Sequence, residues 1–245
     1  MIQLTAIQEV DKIHELLSQH LKELNQNSLG FNHLTVYGRL FLYTLEKYKT
    51  ELELPSPRFS YELRNFINRQ LASNLLLCIE GGLQEFIVDQ YKCSVLNKRE
   101  LSAFGCASTL LKKTDSLLSN SERKWLKNFR GKRVSSPDFY DLLDFVICSL
   151  SLIPAEQKKL FRRSFEFFTL VRNKASHLDA SLTLQEIALI EEFSLKDSSK
   201  LRFQISVVED EGLHYFEVTL IFFHQAWLHV KNFFELLYDE INTQS

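Results

Sequence analysis

Residues 154–177 read PAEQKKLFRRSFEFFTLVRNKASH, and they carry the clearest structural pattern in the chain. Apolar side chains recur at three- and four-residue intervals, which is the spacing of one face of an α-helix. These side chains are Leu160, Phe161, Phe165, Phe168 and Val171. Proline suits the first position of a helix because it has no N–H to donate. The stretch therefore predicts a long helix, from Pro154 to about Ser176, that packs against a core.

The rest of the chain favours helices as well. Its 245 residues include only 7 glycines and 4 prolines, whereas 45% are hydrophobic and 20 are phenylalanines. Few chain-breaking residues and many apolar ones indicate long helices around a sizeable core. We therefore expect a mainly α protein. Apolar periodicity predicts its other helices at about 4–26, 32–49, 60–91, 97–118, 121–130, 137–150, 184–193 and 222–241.

Two further features organise the chain. The loop Glu51–Arg58 contains Pro55 and Pro57, which makes it the best candidate boundary. It predicts an N-terminal helical hairpin at residues 1–50, packed on a helical bundle at residues 58–241. Residues 201–208 and 213–221 alternate or run apolar around a polar turn at 209–212, which predicts a small β-hairpin near the C-terminus.

The charge of the chain is unevenly distributed, although the net charge is only −2. Between Lys92 and Arg133 there are 11 basic and 3 acidic residues, whereas residues 182–245 contain 11 acidic and 4 basic ones. A basic segment of this kind can attract a polyanion such as RNA even though the protein as a whole is not basic.

Part of this basic segment predicts an RNA-binding patch. Cations that alternate with aromatic residues can hold a nucleic-acid backbone and stack its bases. A solvated helix face with its aromatic residues turned inward gives the same pattern, and this alternative stays open. The patch consists of Arg123, Lys124, Lys127 and Arg130, which lie close to Trp125 and Phe129.

Several classes of protein are disfavoured. The first residues lack a basic start followed by an apolar run, and the chain has no apolar run of 18 residues, so we expect neither a secretion signal nor a membrane span. The four cysteines form no close pair. We expect a cytoplasmic protein with reduced thiols, without a membrane segment, metal site or cofactor. His224 and His229 share a helix at a spacing unsuited to one metal ion, and we expect them at the surface or an interface.

The long helix ends in Arg172-Asn173-Lys174-Ala175-Ser176-His177, which are candidate catalytic residues. Histidine, with an unperturbed pKa near 6.5, is suited to proton transfer at neutral pH. Arginine stays charged and can meet two phosphate oxygens at once. Asn173 could donate to a phosphoryl oxygen or fix the tautomer of the histidine ring. Such a set can cut RNA without a metal, by attack of the 2′-hydroxyl on the adjacent phosphate.

Spacing makes this motif more specific than a loose arginine–histidine pair. An Arg-Asn pair with a histidine at this one distance is expected by chance in about 6% of chains of this composition. A helix end whose cations favour the helix dipole is the alternative. Asn173 and His177 share a face, whereas Arg172 and His177 are about 140° apart around a continuous helix. Either the helix ends near Ser176 and His177 turns back, or the long arginine reaches round.

A second copy of the chain would complete the chemistry. Transesterification uses both a base and an acid, but each chain has only one histidine in this region. A two-fold dimer that apposes two motifs supplies both in one cleft. We therefore expect a homodimer with a composite site.

The pattern Arg-Asn-x-x-x-His at the end of a helix resembles the HEPN superfamily (higher eukaryotes and prokaryotes nucleotide-binding), in its bacterial ribonuclease branch. Arg172, Asn173 and His177 match the motif residue by residue. The segment from Arg69 to Phe86 is similar to an early helix of some bacterial members, in which a glutamate faces the site. This looser likeness suggests that Glu80 supports the site.

The resemblance has implications for fold and function. It implies a helical bundle of HEPN type over about residues 60–241, with dimerisation through the motif helices. It also implies a metal-independent endoribonuclease that leaves a 2′,3′-cyclic phosphate and serves as a toxin, phage-defence effector or RNA-processing enzyme. An antitoxin or regulatory protein is then a candidate partner. The alternative is a non-catalytic module of the same fold that binds a protein partner or a nucleotide.

Overall fold

The structure, a computed structural model, describes residues 2–27, 31–53, 60–92, 140, 143–144, 146–147, 152–176, 181–194, 203–210 and 212–244. Within these ranges the chain is mainly helical, with a two-stranded antiparallel sheet near the C-terminus, which confirms the predicted fold class. Likeness to a HEPN bundle stays a prediction. The elements are α1 (Ile2–Asn27), α2 (Asn32–Leu52), α3 (Ser60–Lys92), α4 (Ala155–Ser176), α5 (Leu184–Phe193), β1 (Ile205–Asp210), β2 (Leu213–Val218) and α6 (Leu220–Gln244).

These six helices are confirmed, with ends within three residues of those predicted. The start of α5 shows why local sequence was sufficient: the Glu186 N–H donates to Thr183 Oγ1 at 3.3 Å, and the Thr183 N–H donates to Glu186 Oε2 at 2.7 Å. This is the capping box expected from a threonine followed three residues later by a glutamate. The helices predicted at 97–118 and 121–130, and most of the one at 137–150, lie outside the described residues.

The β-hairpin is confirmed, but its strands are shifted from the predicted bounds. Asp210 pairs with Leu213, so pairing continues to a two-residue turn, with Gly212 at a φ of 76°. Glycine adopts this conformation without the steric cost that a Cβ atom brings. The second strand ends early because Thr219 Oγ1 accepts a hydrogen bond from the Phe222 N–H at 3.3 Å, which starts α6. The apolar run predicted as strand is therefore the first turn of a helix.

The chain forms two compact units. One consists of Met1–Ile79 and Arg163–Phe233, and the other of Glu80–Arg162 and Phe234–Ser245. The predicted domain boundary at residues 51–58 stays a prediction.

An aromatic cluster forms the core of the first unit. The Phe167 ring centroid lies 5.1 Å from that of Phe193 and 5.5 Å from that of Phe203, and the Phe165 centroid lies 4.9 Å from that of Phe233. All five rings are fully buried. Aromatic pairs of this kind stabilise a fold by about 0.5–1.5 kcal/mol beyond their buried area. The cluster therefore holds the second half of α4 firmly.

The N-terminal helices pack in the same unit. The Trp227 Nε1–H of α6 donates to the Leu34 carbonyl of α2 at 3.2 Å, and the Tyr37 hydroxyl donates to the Leu71 carbonyl of α3 at 3.2 Å. Both donors belong to buried side chains, which satisfies polar atoms that would be costly to bury alone. These two bonds tie α2 to α3 and α6.

In the second unit α3 and α6 approach closely at Gly82. A Cβ atom at this position would overlap the ring of Phe234, which is buried. The Gly81-Gly82 pair predicts a kink or a close approach by another backbone, and the approaching group is instead a phenylalanine ring. A glycine inside a helix costs about 1 kcal/mol relative to alanine, and this contact gives the physical reason for accepting that cost.

Candidate functional site

Arg172 and Asn173 lie near the C-terminal end of α4, where the helix leaves the aromatic cluster. Phe168 and Val171, four residues and one residue before Arg172, are buried, whereas Arg172 and Asn173 are exposed. At 100° per residue, Arg172 extends within about 20° of the direction of Phe165, and Asn173 lies about 100° further round. Arg172 therefore continues the line of the core face beyond the end of the core, at an exposed position.

The structure does not bring the other predicted site residues together with Arg172 and Asn173. His177 lies outside the described residues, so the two routes by which it could meet Arg172 stay predictions. The predicted RNA-binding residues Arg123, Lys124, Lys127 and Arg130 also lie outside them. Glu80 is half-buried in α3 and belongs to the second unit, whereas Arg172 and Asn173 belong to the first.

Lys174, a spacer in the sequence motif, has a defined place in the structure. Its Nζ donates to the Ser181 carbonyl at 2.8 Å and lies 2.9 Å from Glu186 Oε2. Lys174 is two positions after Arg172, so the two side chains project about 160° apart around α4. The lysine therefore serves the contact between α4 and α5, and the arginine faces elsewhere.

Glu186 is the acidic centre of this contact. Burial opposes ionisation of its carboxyl group, but hydrogen bonds from Thr183 and Lys174 outweigh burial and lower its pKa below the ordinary value. The Glu186 carboxylate thus accepts a hydrogen bond from the Thr183 N–H and pairs with the Lys174 ammonium. The backbone N–H of Glu186 completes the helix cap by donating to Thr183 Oγ1. We name Lys174, Ser181, Thr183 and Glu186 the lysine clamp.

An open cavity of about 610 Å³ lies between α4 and α5. Its α4 residues, Arg163 and Leu170, are on the opposite side of the helix from Arg172. The Arg163 guanidinium is bound to Glu166 at 2.8 Å and to Glu192 at 3.1 Å. The cavity therefore does not contain the predicted catalytic residues. Its lining consists of Arg163, Leu170, Thr183, Gln185, Glu186, Ala188 and Leu189.

A buried serine–histidine pair crosses the core of the first unit. Ser164 Oγ and His229 Nε2 share a hydrogen bond of 2.7 Å, and both residues are buried. Burial lowers the pKa of His229 to about 3, so the ring is neutral at ordinary pH. The rings of Phe165, Phe168 and Phe203 surround it. With no access for a substrate, the pair is structural and not a nucleophile with its base.

His224 is also buried, which corrects the expectation that His224 and His229 lie at the surface or an interface. Its ring stacks on that of His20 with centroids 5.7 Å apart, and Trp227 lies beside His20. Burial, and then the neighbouring charge of His20, lower the pKa of His224 to about 4. Ser164 of α4 thus gives His229 a hydrogen bond, whereas the contact that His20 of α1 gives His224 is ring stacking.

Within the described ranges, no three histidine, cysteine, aspartate or glutamate side chains come together as metal ligands. No helix in the same part of the chain is both long enough and apolar enough to cross a lipid bilayer.

No protein-family model, curated protein or solved structure matches this chain. The resemblance to HEPN proteins therefore depends on the motif residues alone, and the function inferred from it is a proposal.

The lysine clamp is the feature of the site that sequence reasoning missed. The capping box of Thr183 and Glu186 was recognisable from its spacing. Its pairing with Lys174 was not, because Glu186 is twelve positions after Lys174 and no periodic pattern links the two residues. The sequence offered one signal for this pairing: a lysine in the last turn of one helix, followed by a capping glutamate at the start of the next.

The two buried histidines predict that the fold loses stability in mild acid. The unfolded chain takes up protons near pH 6.5, but folded His224 and His229 do so only near pH 4 and 3. Their stabilising contribution is therefore complete above pH 6.5 and is lost as pH falls below it. The free energy of unfolding should decrease by about 1.4 kcal/mol per pH unit for each histidine. Urea denaturation between pH 7 and 5 measures this slope.

Glutamine variants provide the control for the acid effect. The double variant His224→Gln, His229→Gln should show a flatter dependence on pH, whatever its stability at pH 7. An unchanged slope in the double variant would show that other groups cause the acid sensitivity.

Proposed function

We propose that this protein is a metal-independent endoribonuclease that cleaves RNA by attack of a 2′-hydroxyl on the adjacent phosphate. The observation that carries the proposal is the exposure of Arg172 and Asn173 near the C-terminal end of α4, a helix whose apolar side chains pack into an aromatic cluster. A rigid helix end that carries a fixed cation and an amide is suited to binding a phosphate whose charge increases in the transition state.

Each motif residue has a distinct chemical role in this proposal. Arg172 stabilises the charge of the pentavalent phosphorane through its planar guanidinium. Asn173 positions the phosphate or fixes the tautomer of the histidine. His177 transfers the proton, as the base for the 2′-hydroxyl or the acid for the leaving 5′-oxygen.

The proposed enzyme is a homodimer formed through the motif helices. The motif histidine of one chain supplies one proton-transfer group. A two-fold axis beside the end of α4 would bring the motif histidine of a second chain into the same site. The exposure of Arg172 and Asn173 supports this arrangement, because the helix end is accessible to a second copy.

The resemblance to HEPN proteins also suggests a cellular role. We propose a cytoplasmic toxin or phage-defence effector, held in check by an antitoxin or regulatory protein. Its RNA would be held by the basic patch of Arg123, Lys124, Lys127 and Arg130, with Glu80 as a supporting residue.

A non-catalytic binding module is the alternative, and it requires Arg172 to act as a structural clamp. An exposed charged side chain contributes only about 0–1 kcal/mol to stability through ion pairs. The exposure of Arg172 therefore favours the catalytic role over the structural one.

The experiment is incubation of the purified protein with total RNA in excess EDTA. The proposal predicts fragmentation of the RNA, because no step requires a metal ion. A His177→Ala preparation, purified in parallel, should leave the RNA intact, which excludes a contaminating nuclease. Cleavage that stops in EDTA and returns with added magnesium would contradict the mechanism. Intact RNA in every condition would favour the binding module.

A further inference from the structure

We propose that one exposed face of α2 is a self-association surface, which binds the same face of a second copy of this chain in antiparallel orientation. The surface consists of Val36, Leu40, Tyr43 and Lys47, and we name it the α2 stripe. The inference stands apart from the proposed ribonuclease activity, because none of these residues belongs to the Arg-Asn-x-x-x-His motif.

The α2 stripe is apolar although it faces solvent. Its members follow one another at intervals of four, three and four residues, so they lie within about 60° of one another around the helix. Val36 is 66% exposed, Leu40 is 39% exposed and Tyr43 is 57% exposed. Phe41 and Leu45, on the core side of the same helix, are fully buried. The helix is thus apolar on two sides, and the second of them is exposed.

Lys47 extends the α2 stripe without interrupting it. Its Nζ lies 5.4 Å from the centroid of the Tyr43 ring, which is a cation–π contact. The methylene stem of such a lysine adds apolar area to the helix surface while the ammonium stays in water. The fourth member of the stripe is therefore compatible with a contact between helices.

A run of exposed apolar residues differs from the single ones that every protein surface carries. The exposed apolar residues of α3 illustrate the difference, because Phe66 and Leu77 are eleven positions apart. Among the described residues, α2 alone has three large exposed apolar side chains in succession at helical spacing. The run therefore indicates a contact surface.

Two charged residues on one edge of the α2 stripe identify the partner as a second copy. Arg39 and Glu46 are exposed and lie about 70–90° from the centre of the stripe. In an antiparallel pair that places Leu40 against Tyr43 of the second copy, each Arg39 meets the Glu46 of the other chain. Two-fold symmetry thus forms two pairs of opposite charge. A parallel pair would place Arg39 opposite Thr44, which carries no charge.

Glu46 can take part in this pairing although it also contacts α1. Its Oε1 lies 3.2 Å from His14 Nε2, yet the glutamate side chain is 62% exposed. An ionised carboxylate has about four lone-pair sites, so it can accept hydrogen bonds from an arginine and a histidine together. The intramolecular contact is therefore compatible with the intermolecular one.

The α2 stripe is short, so the association should be weak and reversible. From Val36 to Lys47 the helix rises about 17 Å. A stable interface buries about 800 Å² on each partner, which is more than a stripe of this length supplies. We expect a dissociation constant in the micromolar range or weaker.

Sedimentation velocity at micromolar to millimolar concentrations measures the association. Wild-type protein should show a concentration-dependent step, whether the associating unit is a monomer or the proposed motif dimer. Leu40→Glu places a charge in the stripe and should weaken this step by about tenfold or more. Leu77→Glu, at a leucine of α3 that is 62% exposed, is the matched control and should associate like wild type. Both variants should keep the wild-type thermal unfolding curve, because both positions are exposed.

Charge reversal tests the antiparallel order. Arg39→Glu and Glu46→Arg each place like charges opposite one another when the variant pairs with itself. Each should therefore weaken association by about threefold or more. In an equimolar mixture of the two variants, the mixed complex again has opposite charges in both pairs. Association of the mixture should return to about the wild-type level.

Three results would overturn the proposal. The first is a wild-type protein with no concentration-dependent step, which would assign the α2 stripe to a different partner. The second is a step that Leu40→Glu and Leu77→Glu weaken equally or leave unchanged. The third is a mixture of Arg39→Glu and Glu46→Arg that associates no better than either variant alone. None of these results depends on RNA cleavage, so the proposed function is tested separately.

Discussion

Replacement of His177 with alanine should lower the rate of RNA cleavage by at least about a thousandfold while the protein stays folded. One positioned general acid or base contributes about 10²–10⁴ in rate, and in the proposed dimer the substitution removes two. Initial rates on a fluorescent RNA oligonucleotide measure the loss. The thermal unfolding curve should stay close to that of wild type, because the proposed role of the side chain is chemical.

Arg172 variants supply the companion measurement. Arg172→Gln should be as inactive as His177→Ala, because the amide carries no charge to stabilise the phosphorane. Arg172→Lys should recover only part of the activity, since an ammonium lacks the planar fork that meets two oxygens. A variant that unfolds when Arg172 is replaced would instead indicate the structural clamp of the non-catalytic alternative. Wild-type rates in His177→Ala would contradict the catalytic role of the motif.

Phe167→Ala should have the largest effect on folding, a loss of about 3–5 kcal/mol in the free energy of unfolding. The Phe167 ring is fully buried and contacts Phe168, Phe193, Phe203 and Phe222. Removal of the ring leaves a cavity where α4, α5 and α6 meet, and rigid neighbours cannot collapse to fill it. Urea denaturation gives the difference in free energy.

The matched control for this effect is Phe66→Ala. Phe66 lies in α3 of the same unit and is 58% exposed, so the same substitution there should change stability by no more than about 0.5 kcal/mol. Equal losses at the two positions would contradict the packing described for the aromatic cluster.

Local sequence patterns were sufficient for the helices and for one face of α4. Phe161, Phe165 and Phe168 recur at helical spacing, and all three are buried as predicted. Phe167 escaped prediction because it lies about 160° around the helix from Phe165, on the face that a two-sided helix would expose. It is buried because Phe193 and Phe203, distant in sequence, pack against that face.

The same limit explains the histidines and the clamp. Whether His229 is exposed or buried depends on Ser164, 65 residues away, which supplies its hydrogen bond. The role of Lys174 depends on Glu186, which reaches it only once α4 and α5 are packed together. Periodicity in the sequence identifies an element and its apolar face, but it does not identify the partner that a polar side chain meets across a tertiary contact.

Analysis of the RNA ends produced in excess EDTA tests the central claim most directly. Attack by the 2′-hydroxyl requires 2′,3′-cyclic phosphate and 5′-hydroxyl ends, and a single 2′-deoxy substitution at the cleaved position should block the cut. The account predicts these ends from the wild type and no products from His177→Ala. Fragments with 3′-hydroxyl and 5′-phosphate ends, or cleavage that persists at the 2′-deoxy position, would contradict it.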